Sequence, residues 1–370
     1  MKIELHSPTI RRKEMDAVLT VMVEEKIGPG EQNRLLIQTA KEQLSFDYAL
    51  ALRSPAVALH LALKALNVQS GQIVVLSALS PRYYLQVLQD LQLTPLYCDV
   101  TYDFPCMNRE LIEKTIERKA DENIKTEQNG SLAGSAAQIC AIILHHTLGF
   151  IPDTPAIADL GIPIIEDISQ SYGSWFKPDK NESNEKDNFQ PSFIHSKFTI
   201  LGLEERDMLT SGGGALLFAM NRKDGTLLRN FAGITNEYCL PDINSALAVV
   251  QFKEAQRNAE RRRDIAEIFI QASLPLASRT KHKRFISNNQ YCNYSFSLIL
   301  ETGLKDVITY AKKKEIEMGN AFENTIASAN SCPNCPVSSS LVLRTVLFPL
   351  YPRLRSSDVE RISRLIMTLP

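Results

Sequence analysis

The stretch LGLEERDMLTSGGGALLF, Leu201 to Phe218, has the shape of a strand, a polar turn, a run of three glycines and a second strand. No lysine stands anywhere in it. Arg206 and Asp207, preceded by Glu204 and Glu205, make the turn charged and solvated.

Outward from this turn, short β-rich apolar runs recur: IVVLSAL (73–79), TPLYCDV (94–100), ICAIILHH (139–146), IPIIEDIS (162–169) and GGALLFAM (213–220). Between them lie helical spacings at SPAVALHLALKAL (54–66), RYYLQVLQDLQL (82–93) and NRELIEKTIERKA (108–120). Buried strands alternating with helices predict a mostly parallel sheet in an α/β layer. Two polar stretches, 120–136 and 177–192, read as surface loops. A long helical pattern follows from about residue 245 and leads to strand candidates at 294–300 and 342–350. SSDVERISRLIMTL closes the chain as a helix with its own cap residues.

The chain has 370 residues, enough for two domains, and a formal net charge of −1. That charge gives no electrostatic reason to expect nucleic acid or an anionic membrane as partner. Charges interrupt each apolar run near the N-terminus, and no stretch is apolar for long enough to span a bilayer, so a cytoplasmic protein is expected. Seven cysteines are scattered, and only Cys332 and Cys335, in CPNC, are close. A lone CxxC lacks the further ligands of a structural zinc site, so no metal is expected. Reduced thiols in a loop are the expectation there.

The order of these segments resembles the DegT/StrS-type sugar aminotransferases, pyridoxal phosphate enzymes of fold type I. ALALRSPAVALHLALKAL is similar to the family's phosphate-binding turn and first long helix. IILHHTLGF and IPIIEDISQSYGS are similar to two strand-end motifs, and FPLYPRLRSSDVERI to the C-terminal signature. The resemblance implies a large domain over residues 1–250, with an N-terminal arm and a seven-stranded central sheet. It further implies a smaller C-terminal α/β domain over 251–370 and a homodimer whose active site lies between subunits.

The family's chemistry needs a Schiff-base lysine, an aspartate against the pyridine nitrogen, a phosphate cup and an aromatic ring over the cofactor. By resemblance, Asp167 is that aspartate and Gln170 stands where the family has Gln or His. From its own motif Asp167 could equally cap a turn through neighbouring backbone amides. The lysine position falls on Arg206, or on Asp207 if the loop is one residue shorter. Neither forms an imine. Lys197 is the nearest upstream lysine, in another element.

The Ser-Gly-Thr turn of the cup appears as Ser54-Pro55-Ala56, where Pro55 lacks an amide hydrogen and Ala56 a hydroxyl. The serine before the lysine falls on Leu201 or Gly202, the partner-subunit asparagine on Glu237, and the stacking ring on Pro81. Together these departures predict a degenerate member without covalent pyridoxal phosphate. Such a chain would bind a nucleotide sugar or pair with an active relative. The alternative is an active sugar aminotransferase of surface-polysaccharide synthesis. The acids of the vacated site are expected to pair with a cation, Arg206 or Arg53 against Asp167 or Glu237, unless Ser54, Arg53 and the amides after Pro55 still hold an anion.

Overall fold

The computed structural model describes residues 2–128, 138–173, 192–230, 234–286, 293–301 and 303–370. Two helices, α1 (Arg12–Val23) and α2 (Glu31–Leu44), precede a region in which strands and helices alternate. It runs β1 (Tyr48–Leu52), α3 (Pro55–Ala65), β2 (Ile73–Ser77), α4 (Tyr83–Asp90), β3 (Thr94–Cys98), α5 (Arg109–Gln128), β4 (Ile139–His145), α6 (Thr154–Ala158), β5 (Ile164–Asp167), β6 (Phe198–Gly202), β7 (Ala215–Ala219) and α7 (Arg222–Arg229). The long α8 (Asp242–Arg279) leads to β8 (Phe296–Ile299), α9 (Leu304–Lys313), β9 (Gly319–Asn320), α10 (Ile326–Ala329), α11 (Pro336–Arg344), β10 (Thr345–Phe348) and α12 (Ser356–Met367).

The first seven strands form one sheet in the order β1-β7-β6-β5-β4-β2-β3. The pairs β2–β3, β2–β4, β4–β5 and β5–β6 are parallel, and only β7 runs against its neighbours. This is the mostly parallel α/β sheet that the sequence pattern predicts and the seven-stranded fold type I architecture that the resemblance implies, accompanied by a small sheet in the order β8-β10-β9.

Side chains of β4 alternate between the two faces of the sheet. Ile143 packs with Leu59 of α3 and Leu88 of α4, whereas Ile142 and Leu144 pack with Ile112 of α5 and Ile157 of α6. The small sheet has its own apolar cluster, in which Phe269 of α8 meets Leu298, Phe348 and Ile362. Ile326, Cys332 and Cys335, although late in the chain, belong to the large sheet's cluster with Leu59 and Ile143.

Several local expectations are corrected. The stretch 120–136, read as a loop, begins as the continuation of α5, which reaches Gln128; residues 129–136 lie outside the described residues. So do residues 177–191 of the second expected loop. The strand expected over 342–350 is shorter, because Val342 to Arg344 form the last turn of α11. Cys335 immediately precedes α11, and both it and Cys332 are buried free thiols. Among the described residues no group of His, Cys, Asp and Glu could hold a metal ion.

Candidate active site

Parallel strands leave a crevice beyond their carboxyl ends, where loops diverge. β4 ends at His145 and β5 at Asp167, neighbours in register across the sheet. A cavity of about 280 Å³ opens there. Its wall takes Pro55, Pro81, Tyr83, His145, Asp167, Ser169, Gln170 and Asp207 from the large sheet's side, and Asn320 to Thr325 from the other lobe.

Asp167 is buried and richly bonded. Its Oδ2 accepts from the Tyr84 hydroxyl at 2.6 Å and the Tyr83 hydroxyl at 3.1 Å. Its Oδ1 accepts from the Ser169 amide at 3.0 Å and from the Ser169 hydroxyl. That hydroxyl oxygen in turn accepts from the Gly202 amide at 2.7 Å, which ties β6 to the end of β5. Burial, followed by the charge of Asp167, pushes both phenols well above their ordinary range. Gln170 lines the cavity while its Oε1 accepts from the Leu148 amide at 2.7 Å.

The turn after β6 is shaped by Asp207. Its Oδ2 accepts from the Glu204 amide at 2.8 Å, closing a tight local turn, and the side chain lies against Gly202. A methyl group at Gly202 would collide with Asp207 Oδ2 and approach Ser169 Oγ to 2.8 Å, so glycine is required there by close approach. Burial pushes the Asp207 carboxyl well above the usual range; Asp167 and Glu204 reinforce the shift and the Glu204 amide opposes it. The loop closes through Leu203, whose amide donates to the Gly214 carbonyl at 2.8 Å. Gly214 has φ +121°, and a Cβ there would strike Leu240. The glycine run is therefore a backbone requirement of the return into β7.

Of the two residues at the lysine position, Asp207 turns inward and is half-buried, while Arg206 is exposed at the rim. Lys197 stands before the opposite end of β6, with Nζ 3.3 Å from Asp224 Oδ1. Ser54 is the N-cap of α3, and its hydroxyl oxygen accepts from the Val57 amide at 3.2 Å.

The expected arginine pairing is not what holds Asp167. Neither Arg53 nor Arg206 is among the partners of Asp167; two phenols and a serine take that role. Arg53 and Glu237 are both exposed. The Thr235 hydroxyl, then Glu237's own amide and the charge of Arg53, hold the Glu237 carboxyl below its usual range. In the sequence Tyr83 and Tyr84 stand only as part of the helical spacing over 82–93. A pair of aromatic hydroxyls at the start of a helix after a parallel strand was the available signal.

His145 is buried on the cavity wall with Nδ1 3.1 Å from Thr147 Oγ1. Burial pulls its pKa down to about 4, with Asp167 opposing, so the ring is neutral near pH 7. Behind it, His146 bridges Ser171 Oγ at 2.6 Å and Glu166 Oε1 at 2.7 Å, wholly inside the protein.

This crevice geometry, on this sheet order, defines a fold type I aminotransferase-like protein. The chain belongs to the DegT/DnrJ/EryC1/StrS aminotransferase family, matching it over residues 8–202 and 205–367. The match is interrupted at 203–204, inside the turn that carries Asp207.

Among solved structures, the chain is similar to Spr1654 of Streptococcus pneumoniae in its PLP form, described as a sugar aminotransferase. That likeness has 17% identity, a TM-score of 0.80, and covers 100% of this chain and 98% of that one. A DegT DnrJ EryC1 StrS aminotransferase from Brucella abortus is 19% identical, with a TM-score of 0.79, covering 96% and 94%. The E. coli GDP-4-keto-6-deoxy-D-mannose-3-dehydratase with bound hydrated PLP is 14% identical, with a TM-score of 0.77, covering 99% of each chain. At such identities these likenesses establish the fold.

Family membership implies pyridoxal phosphate, and the residues here do not fit it. No lysine lines the cavity among the described residues; Arg206 and Asp207 line it instead. The first residue of α3 is Pro55, which has no amide hydrogen to offer a phosphate. Asp167 carries four hydrogen bonds already.

Proposed function

We propose that this chain is a catalytically degenerate member of its family: a folded relative that makes no Schiff base and serves by binding a nucleotide sugar or by pairing with another chain. The observation that carries this reading is the cavity wall, which among the described residues presents Asp207 and no lysine. A carboxyl group has no lone-pair nitrogen to condense with an aldehyde.

Incubation with pyridoxal phosphate, borohydride reduction and peptide mass mapping should give no stoichiometric adduct. A single modified lysine, together with transfer of an amino group to a keto sugar, would establish the alternative. That alternative is an active sugar aminotransferase of surface-polysaccharide or nucleotide-sugar synthesis, and retention of Asp167 and Gln170 at the strand end favours it.

The proposed assembly is a homodimer in the cytoplasm. Met15, Leu19, Met22 and Val23 on α1 are each more than half exposed, an apolar stripe that association would cover. Among the described residues no helix is long and apolar enough to cross a membrane. Sedimentation at micromolar concentration should give a dimer; a stable monomer would refute the assembly.

A further inference from the structure

A carboxylate offers about four acceptor positions, two on each oxygen. On Asp167 all four are taken from within the chain. Ser169 supplies two donors to Oδ1, and Tyr84 and Tyr83 supply one each to Oδ2. The two tyrosines open α4, and their rings meet edge to face with centroids 4.8 Å apart. Tyr84 is fully buried beneath the site, and Tyr83 forms part of the cavity wall.

The start of α4 is itself fixed by the other lobe. The Arg82 amide donates to the Asn324 carbonyl at 3.2 Å, and the Ile326 amide to the Ser80 carbonyl at 3.0 Å. The phenols are thus held in place by main-chain bonds on one side and by a buried carboxylate on the other. Both remain protonated donors, because burial and the adjacent negative charge oppose their ionisation.

We infer that Tyr83 and Tyr84 are a built-in occupant of the pyridine seat, a pair of phenols that takes the carboxylate any pyridine-bearing ligand would need. The inference rests on the reading of the chain as a member without Schiff-base chemistry, and it adds that cofactor exclusion is built in on α4, separately from the loss of the lysine. A ligand of the remaining cavity is then one that does not bond to Asp167.

Pyridoxine is the probe that separates the two ideas. It has neither aldehyde nor phosphate, so its binding is blind to the missing lysine and to Pro55. Titration calorimetry on the full chain should show Tyr83→Ala binding pyridoxine at least tenfold more tightly than wild type. The gain should vanish in Tyr83→Ala/Asp167→Asn. Equal affinity of wild type and Tyr83→Ala, or a gain that survives Asp167→Asn, would overturn the inference. If circular dichroism shows Tyr83→Ala unfolded, Tyr83→Phe keeps the ring and frees one acceptor. It should bind several-fold more tightly than wild type, and unchanged affinity would overturn the inference equally. A borohydride adduct in the other experiment would overturn the degenerate reading and this inference with it, whereas a failed pyridoxine result would overturn the inference alone.

Discussion

Replacing Asp167 by alanine should destabilise the protein by about 3–5 kcal/mol, the range for removing one partner from a buried charged network. The residue is 1% exposed, and its loss strands three side-chain donors. Tyr84 is the most costly of them, since its hydroxyl lies 2.6 Å from the carboxylate in a fully buried position. A buried donor left without an acceptor costs about 1–3 kcal/mol. Ser169 would also lose the anchor that aims its oxygen at the Gly202 amide, loosening β6 against β5. Asp167→Asn keeps the shape and one acceptor oxygen, so its loss should be smaller, about 1–3 kcal/mol. Urea midpoints for the three proteins test this. A loss below about 1 kcal/mol for alanine would mean that the phenols find other acceptors and that the network is not structural.

The second large effect is acid lability between pH 6.5 and pH 4. Burial pulls His145 and His6 each down to about 4; for His6 the charges of Arg206 and Arg262 add to it while Glu317 and Glu205 oppose. The unfolded chain takes up these protons near pH 6.5 and the folded chain only near pH 4. The folded state therefore binds fewer protons in that window. Its stability is full above pH 6.5 and falls as pH drops.

A fall from 6.5 to about 4 corresponds to at most about 3.4 kcal/mol for one histidine, less for the half-buried His6, which water screens. Asp207 acts with the opposite sign. Its raised pKa means that the folded state holds a proton the unfolded chain has released, so it gains stability as pH falls toward 3.8. Denaturation at pH 7 and pH 4.5 should show His145→Gln losing about 2 kcal/mol less than wild type. Asp207→Asn should be the more stable protein at pH 7 and lose more on acidification. An unchanged difference in His145→Gln would mean that His145 titrates normally in the folded protein.

The sheet was legible because its strands are short apolar runs bounded by turn residues: β2, β3, β4, β5 and β7 each fall inside a stretch expected to be a strand. β1 was not singled out as a strand, since YALAL is alanine-rich and is extended here by its antiparallel pairing with β7. β9 is two residues long and has no pattern of its own.

At the site, Asp167 and Gln170 were legible as a motif at the end of a buried strand. The tyrosines that bond Asp167 were not, because they lie 83 and 84 positions away and the contact depends on where α4 docks. The inward turn of Asp207 was also beyond reach. Side-chain direction in the 203–214 loop follows from its hydrogen bonds to Leu203, and counting from the glycines cannot supply it.

Asp99, just beyond β3, reaches the start of α11. Its carboxylate accepts from the Val337 amide at 3.0 Å, the Ser338 amide at 2.8 Å and the Ser338 hydroxyl at 2.6 Å. Alongside it, Ile326, Cys332 and Cys335 fill the cluster that Leu59 and Ile143 begin. Residues on both sides of position 250 therefore share one apolar cluster. A chain ended there would lack part of the large sheet's own interior, and α11 alone would lose the acid that caps it. The last third of the polypeptide thus supplies part of the interior of the first two-thirds.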